Sequence, residues 1–252
     1  MLKHRVIPAL LLHRDGLVKT RKFADPTYVG DPLNAIKIFN EKEVDELLLL
    51  DISATREGHG PDFDLIADFA TECFMPFGYG GGVSTLEHAE RLFRLGVEKV
   101  CLQTATRRHL GLVEQIAGRY GSQAVVGSVD VKADWKGTPQ LYWAADRTTD
   151  ADLKGHLDRL QSAGVGEIVL NSVDRDGMMS GMDLKLIRRV ASDLKVPLVA
   201  LGGVGELDHI REAIDAGASA VAAGSFFVFH GKRRAVLITY PAYGALEDLL
   251  ST

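Results

Sequence analysis

The 252-residue chain repeats itself at an offset of 121 residues. That shift lays Gly81-Gly82-Val83 on Gly202-Gly203-Val204, Leu86 on Leu207, His88 on His209, Gly96 on Gly217 and Val100 on Val221. Residues 81–104 share seven identities in 24 positions with their counterparts, where roughly one or two would arise by chance. Val44-x-Glu46 falls on Val165-x-Glu167 at the same offset. A unit repeated once per half-chain buries its apolar face against its copy, so the two halves must close on each other.

Within each half, short apolar runs alternate with amphipathic stretches. The runs 5–12, 46–51, 75–79, 99–102, 124–130, 167–171, 197–200 and 220–223 do not alternate in polarity, which is the pattern of parallel strands buried on both faces. Between them, apolar residues at 86, 89, 92 and 93 follow helical spacing, and the stretch 208–216 ends at Gly217, a helix stop. Eight strand–helix units in this length predict an α/β fold, a (β/α)8 TIM barrel. It is expected to be a single domain over 1–252, with halves at about 1–121 and 122–252, since no linker rich in proline, serine or charge divides it. A doubly wound open sheet is the competitor and usually needs fewer units.

Charge and composition narrow the function. Lysine and arginine number 29 against 34 acidic residues, a net charge of −5, which argues against a nucleic-acid surface. No apolar run approaches the roughly 18 residues of a membrane span, so neither nucleic acid nor membrane is an expected partner. The first residues read as a strand, not a signal peptide, because Asp15 interrupts the apolar run early. Two cysteines, Cys73 and Cys101, are too few for a disulfide framework, so reduced thiols in a cytoplasmic protein are expected. The eight histidines show no metal-site spacing; neither metal nor cofactor is expected. His88 and His209 are read as outward-facing solvated or packing residues.

In a barrel, loops at the strand C-termini form the active site. Two matched loops are glycine-rich, Gly80-Gly81-Gly82 and Gly202-Gly203 with Gly205. Each is followed one unit later by a small hydroxyl, Thr104 or Ser225. Glycine lets backbone N–H groups approach an anion, and a hydroxyl adds a donor, so the duplicated pairing points to a ligand with two phosphates. Gly177 in Asp174-Arg175-Asp176-Gly177 extends the second cluster. The plain alternative is that these glycines only turn tight corners. Asp51, Asp130 and Asp176 fall at strand ends or just beyond, where a carboxylate can serve as acid or base; Asp51 and Asp176 could equally bond only their own loops. Asp130, ending an apolar strand, is the candidate catalytic residue. Its symmetry mate should lie among Ala9 to Leu11, and no acid stands there. Phe226, Phe227 and Phe229 read as core, and Arg233 and Arg234 as contacts either to ligand or only to solvent.

On these residues the chain resembles, over its whole length, HisF, the cyclase subunit of imidazole glycerol phosphate synthase. The motifs are Gly80-Gly81-Gly82, Val129-Asp130-Val131-Lys132, Asp174-Arg175-Asp176-Gly177, Leu201-Gly202-Gly203-Val204-Gly205 and Ala223-Gly224-Ser225, with Lys19 and Asp51 in the family's positions. The resemblance implies a bisphosphorylated ribulosyl substrate. It also implies ammonia supplied by a HisH-type glutaminase docked at the N-terminal face, through a gate of Arg5, Glu46, Lys99 and Glu167. Without the family, those four charges could be a plug covering a barrel end.

The chain also departs from that family. Leu11 stands at the family's strand-one catalytic aspartate and Lys22 at a neighbouring asparagine, and the loop after strand five runs through Trp135, Trp143 and Asp146 to Asp150. Losing one acid or base typically costs roughly 10²- to 10⁴-fold in rate. With the 7–12 and 16–20 segments, this resembles a HisF-like branch that accompanies a glutaminase and a sugar amidotransferase in making acetamidino sugars for surface polysaccharide. Three alternatives stay open: a genuine histidine-pathway cyclase working with Asp130 alone, a non-catalytic ammonia conduit, and a single-subunit isomerase resembling HisA.

Overall fold

Every apolar run forms a strand in the computed structural model, which describes residues 4–251. The strands are β1 (Arg5–His13), β2 (Leu47–Asp51), β3 (Phe77–Gly80), β4 (Lys99–Leu102), β5 (Val125–Ala133), β6 (Glu167–Ser172), β7 (Leu198–Leu201) and β8 (Ala220–Ala223). Neighbours pair in parallel in chain order, and β8 returns to β1 through Arg5↔Ala220 to Pro8↔Ala223. With β5 paired to β6 these eight strands close into a ring, so this is a (β/α)8 barrel.

One principal helix follows each strand. These are α1 (Pro32–Glu41), α2 (Phe63–Glu72), α3 (Leu86–Arg94), α4 (Gly111–Tyr120), α5 (Leu153–Ala163), α6 (Leu184–Ala191), α7 (Leu207–Asp215) and α8 (Tyr243–Leu250). Their starts are written locally. Asp31, Asp62, Thr85, Asp152 and Asp183 each accept the N–H three residues on, satisfying a donor the helix cannot. The helical spacing read at 86–93 buries Ala89 and Leu92. None of the described helices is long and apolar enough to cross a membrane.

The apolar residues sort into two cores. Phe39, Phe69, Tyr79, Leu92 and Phe227 belong to the large one, where helices cover the sheet. Ile7, Ala9, Leu48, Cys101, Val126, Val169, Val199 and Ala220 belong to a second, smaller cluster. Four strand starts fall later than the sequence reading, those of β5 and β7 by one residue, at Val125 and Leu198. β3 begins at Phe77 because Pro76 has no N–H to donate, though its carbonyl accepts Leu47 N–H at 2.9 Å; β2 begins at Leu47. Three hairpin segments carry too little periodicity to announce themselves. Gly16–Arg21 pairs Ala24–Gly30 after β1, Pro139–Trp143 pairs both β5 and Thr148–Asp150, and Phe229–His230 pairs Ala235–Val236.

Tyr79 is wholly buried and its hydroxyl has no hydrogen-bond partner among the described residues. Burial first, then the charges of Asp51 and Asp62, push its phenol pKa far up. Deleting an unsatisfied buried hydroxyl removes a cost. Tyr79→Phe is therefore expected to keep or raise stability by up to ~1 kcal/mol in urea denaturation; a loss larger than that would contradict the orphaned hydroxyl.

Candidate active site

A cavity of about 210 Å³ opens at the C-terminal ends of the barrel strands. The register places the glycine loops around it. Gly80 lies beside Cys101, so Gly81 and Gly82 face the turn at Gln103 and Thr104. Leu201 lies beside Ala222, so Gly202 and Gly203 face Gly224 and Ser225. β3/β4 and β7/β8 stand four strands apart in the closed order, which puts the two clusters on opposite sides of the mouth. Thr104 and Ser225 each begin a short helix. Glycine is required by more than the turn: Gly203 has φ 108°, and a Cβ there would strike Gly181 O.

The hairpin after β1 leans over the second cluster. Lys19 is buried, its Nζ donates to Ala9 O at 2.6 Å, and the same ammonium lies against Gly224. Burial lowers its pKa to about 8, against the opposing pull of Asp176. Asp176 ties this hairpin to the β6 loop. Its Oδ2 accepts Thr20 Oγ1 at 2.7 Å and Phe23 N–H at 3.2 Å, and its carbonyl accepts Lys22 N–H. Burial raises its pKa, with Thr20 and Phe23 opposing. Asp51 Oδ1 accepts the N–H groups of Ser53 and Ala54 and the Ser53 hydroxyl. Local loop bonding thus describes much of what both aspartates do, and both still line the mouth with Gly177. Arg234 donates to Gly177 O at 3.0 Å.

Asp130 stands opposite Asn171 in the β5–β6 register, and Leu11 stands opposite Leu50 in the β1–β2 register. Residue 171 is 50 displaced by 121, so the mate of Asp130 is Leu11. One half of the mouth presents an acid and an amide; the other presents two leucines. Gln103 Nε2 donates to Asp130 Oδ2 at 3.0 Å and to Tyr142 O at 2.9 Å, while Thr104 Oγ1 donates to Gln103 Oε1. Desolvation raises the Asp130 pKa to about 7, with the Asn171 hydrogen bond lowering it and the Asp176 charge adding to the rise. A carboxyl poised there can give or take a proton near neutral pH.

At the other end, the four predicted charges form a closed ring. Arg5 pairs with both Glu46 and Glu167, and Lys99 reaches Glu46 at 2.7 Å and Glu167 at 3.2 Å. Burial opposes the charge on Arg5, and hydrogen bonds and Coulombic attraction from the two glutamates outweigh it and raise its pKa. Directly inside lies a cavity of about 10 Å³ lined by all the ring members except Arg5, with Ile7, Leu48 and Val126; that is about one water-sized probe. Cys101 lines both this cavity and the mouth.

Gln103, Asn171 and Tyr142 were not singled out from sequence. Gln103 and Asn171 carried one available signal, their place at or just past strand ends. Tyr142 had none, since its strand belongs to an unannounced hairpin. Its ring meets Phe23 edge-on at 5.9 Å, bringing the hairpins after β1 and β5 together over the mouth. Of the altered loop's tryptophans, Trp143 is buried under Arg107, and Trp135 is 88% exposed.

A family model described as histidine biosynthesis protein matches residues 5–233. A Pseudomonas aeruginosa protein provisionally named imidazole glycerol phosphate synthase subunit hisF2 is 53% identical, over 98% of this chain and 99% of its own. A Vibrio vulnificus protein provisionally named subunit hisF3 of that synthase is 48% identical, over 96% and 94%. The imidazole glycerol phosphate synthase subunit HisF of Exiguobacterium sibiricum is 38% identical, over 90% and 91%.

Two outcomes follow from these charges. Between about pH 4 and 7, folded Asp130 holds a proton that the unfolded chain releases. Its contribution to stability is full below pH 4 and is lost as pH rises through 7. Asp130→Asn should therefore melt above the parent at pH 8 and converge with it at pH 4; a constant difference across that range would contradict the raised pKa. In the ring, Lys99→Met leaves two glutamates facing Arg5 alone. It should destabilise by about 2 kcal/mol, less than a fully buried pair because Lys99 is partly exposed, and adding Glu46→Gln should recover part. Additive losses in urea denaturation would show that the pairs are uncoupled.

Proposed function

The chain belongs to the histidine biosynthesis protein family and is HisF-like, and from that premise we propose that it is an ammonia-using synthase subunit. It works beside a HisH-type glutaminase that docks over the ion-paired floor. Ammonia enters past Arg5, Glu46, Lys99 and Glu167, crosses the small apolar-lined cavity and reaches the mouth by Cys101. A phosphorylated, sugar-like substrate lies across the mouth, one phosphate on Gly81, Gly82 and Thr104 and the other on Gly202, Gly203, Gly224 and Ser225 with Gly177. That span holds the middle of the ligand over the barrel axis, where ammonia arrives. Asp130 moves the proton, held by Gln103 and Asn171; Lys19 offsets charge at the second phosphate.

The observation that carries the finer reading is the pairing of Asp130–Asn171 with Leu11–Leu50 across the two halves. Leucine transfers no proton, so a reaction needing two carboxylates is disfavoured at this mouth. We read the chain as a paralogue serving sugar amidination in surface polysaccharide biosynthesis, acting with a sugar amidotransferase. Its 53% identity to a relative named hisF2, against 38% to one named HisF without qualification, supports that direction. The second relative keeps the histidine-pathway cyclase as the competing reading.

Turnover of the bisphosphorylated ribulosyl substrate with ammonium salt separates the two. The parent should be slow and Leu11→Asp faster by about 10²-fold, with Asp130→Asn abolishing both activities. A parent that turns over rapidly and gains nothing from Leu11→Asp is a genuine cyclase, and the paralogue reading falls.

A further inference from the structure

Of the solvated and packing roles open to the two histidines at the repeat offset, the structure shows packing, on half-buried rings. His88 and His209 are the third residues of α3 and α7, and helical side chains lean toward the N-terminus. Each imidazole therefore reaches back onto the glycine loop before its helix. His88 Nδ1 lies 3.3 Å from Gly82 O, to which it donates. His209 Nδ1 accepts the Gly205 N–H at 3.1 Å, which leaves its Nε2 to donate to Glu206 Oε1 at 3.2 Å.

A second glycine completes each arrangement. Gly60 and Gly181 are also 121 residues apart. A Cβ on Gly60 would come within 2.9 Å of the His88 ring, and one on Gly181 within 3.6 Å of the His209 ring. The glycines also meet each other: a Cβ on Gly82 would lie 2.8 Å from Gly60 C, and Gly181 N–H donates to Gly203 O at 3.0 Å. Phe63 closes the first arrangement edge-on to His88 at 5.9 Å. Each imidazole is thus wedged between its own glycine loop and a glycine of the preceding loop.

We infer that His88 and His209 are positioning residues, each fixing the height and direction of one anion-binding glycine loop. The inference rests on the phosphate-site reading above and adds to it the group that holds each loop in place. The two halves use the same residue with opposite hydrogen-bond polarity, donor to a carbonyl in the first and acceptor from an N–H in the second. Asparagine reproduces either arrangement, because its amide atoms stand two bonds from Cβ as Nδ1 does; glutamine sets them one bond too far.

The test is titration of the full-length protein with inorganic phosphate, followed by amide NMR shifts at 81–83 and 202–204, with hydrogen exchange at Gly205. His209→Gln should weaken binding at the second loop about tenfold, the scale of one lost hydrogen bond, and leave the first within about twofold. His88→Gln should do the converse, and each Asn variant should stay near the parent. Gly205 exchange should accelerate in His209→Gln and not in His209→Asn. Equal binding at both loops in the Gln variants, or Asn variants as weak as Gln, would overturn the assignment. If the parent shows no phosphate shifts, the anion-site reading fails by itself. The Gly205 exchange rates then still decide whether the imidazole holds the loop.

Discussion

Six consecutive β-bridge partners between β5 and β6, Glu167↔Val126 to Ser172↔Val131, turn the sheet into a cylinder. Closure fixes both ends at once. At one end of this ladder stands Glu167, half the anionic charge of the floor. Near the other stand Asp130 and Asn171, the polar wall of the mouth. A one-residue slip would turn every side chain of β6 to the opposite face, taking Glu167 out of the ring and Asn171 away from Asp130. Site and gate therefore share one register.

The two ends handle buried charge differently. At the floor, two cations and two anions satisfy one another completely, which is the condition under which desolvation is tolerable. At the mouth, Asp130 and Lys19 are buried without an ion-pair partner among the described residues, and each moves toward its neutral form, the acid up to about 7 and the amine down to about 8. Groups left in that condition are suited to exchanging protons or meeting a charged ligand.

Much of this was legible in the sequence because it was written twice. The 121-residue offset located the glycine loops, the hydroxyls after them and two members of the ring, and the apolar runs located all eight strands. What escaped was written once or contributed by loops. Gln103 and Tyr142 act through contacts across the mouth that no periodicity encodes. The repeat alone brackets the mate of Asp130 within three positions, the family resemblance points to Leu11, and the β1–β2 and β5–β6 registers set Leu11 opposite Leu50 as Asp130 is opposite Asn171. His88 and His209 stand out as a repeat, but helical spacing leaves both a solvated and a packing role open and does not show that a third-position side chain reaches back over its loop.

Two glycine loops facing each other across one mouth imply a ligand held by two phosphates at once. Calorimetric titration with a short-chain sugar bisphosphate and with its monophosphate tests it most directly. One bisphosphate per chain should bind, at least about a hundredfold more tightly than the monophosphate, since the second anchorage is intramolecular. Equal affinities for the two ligands would contradict it.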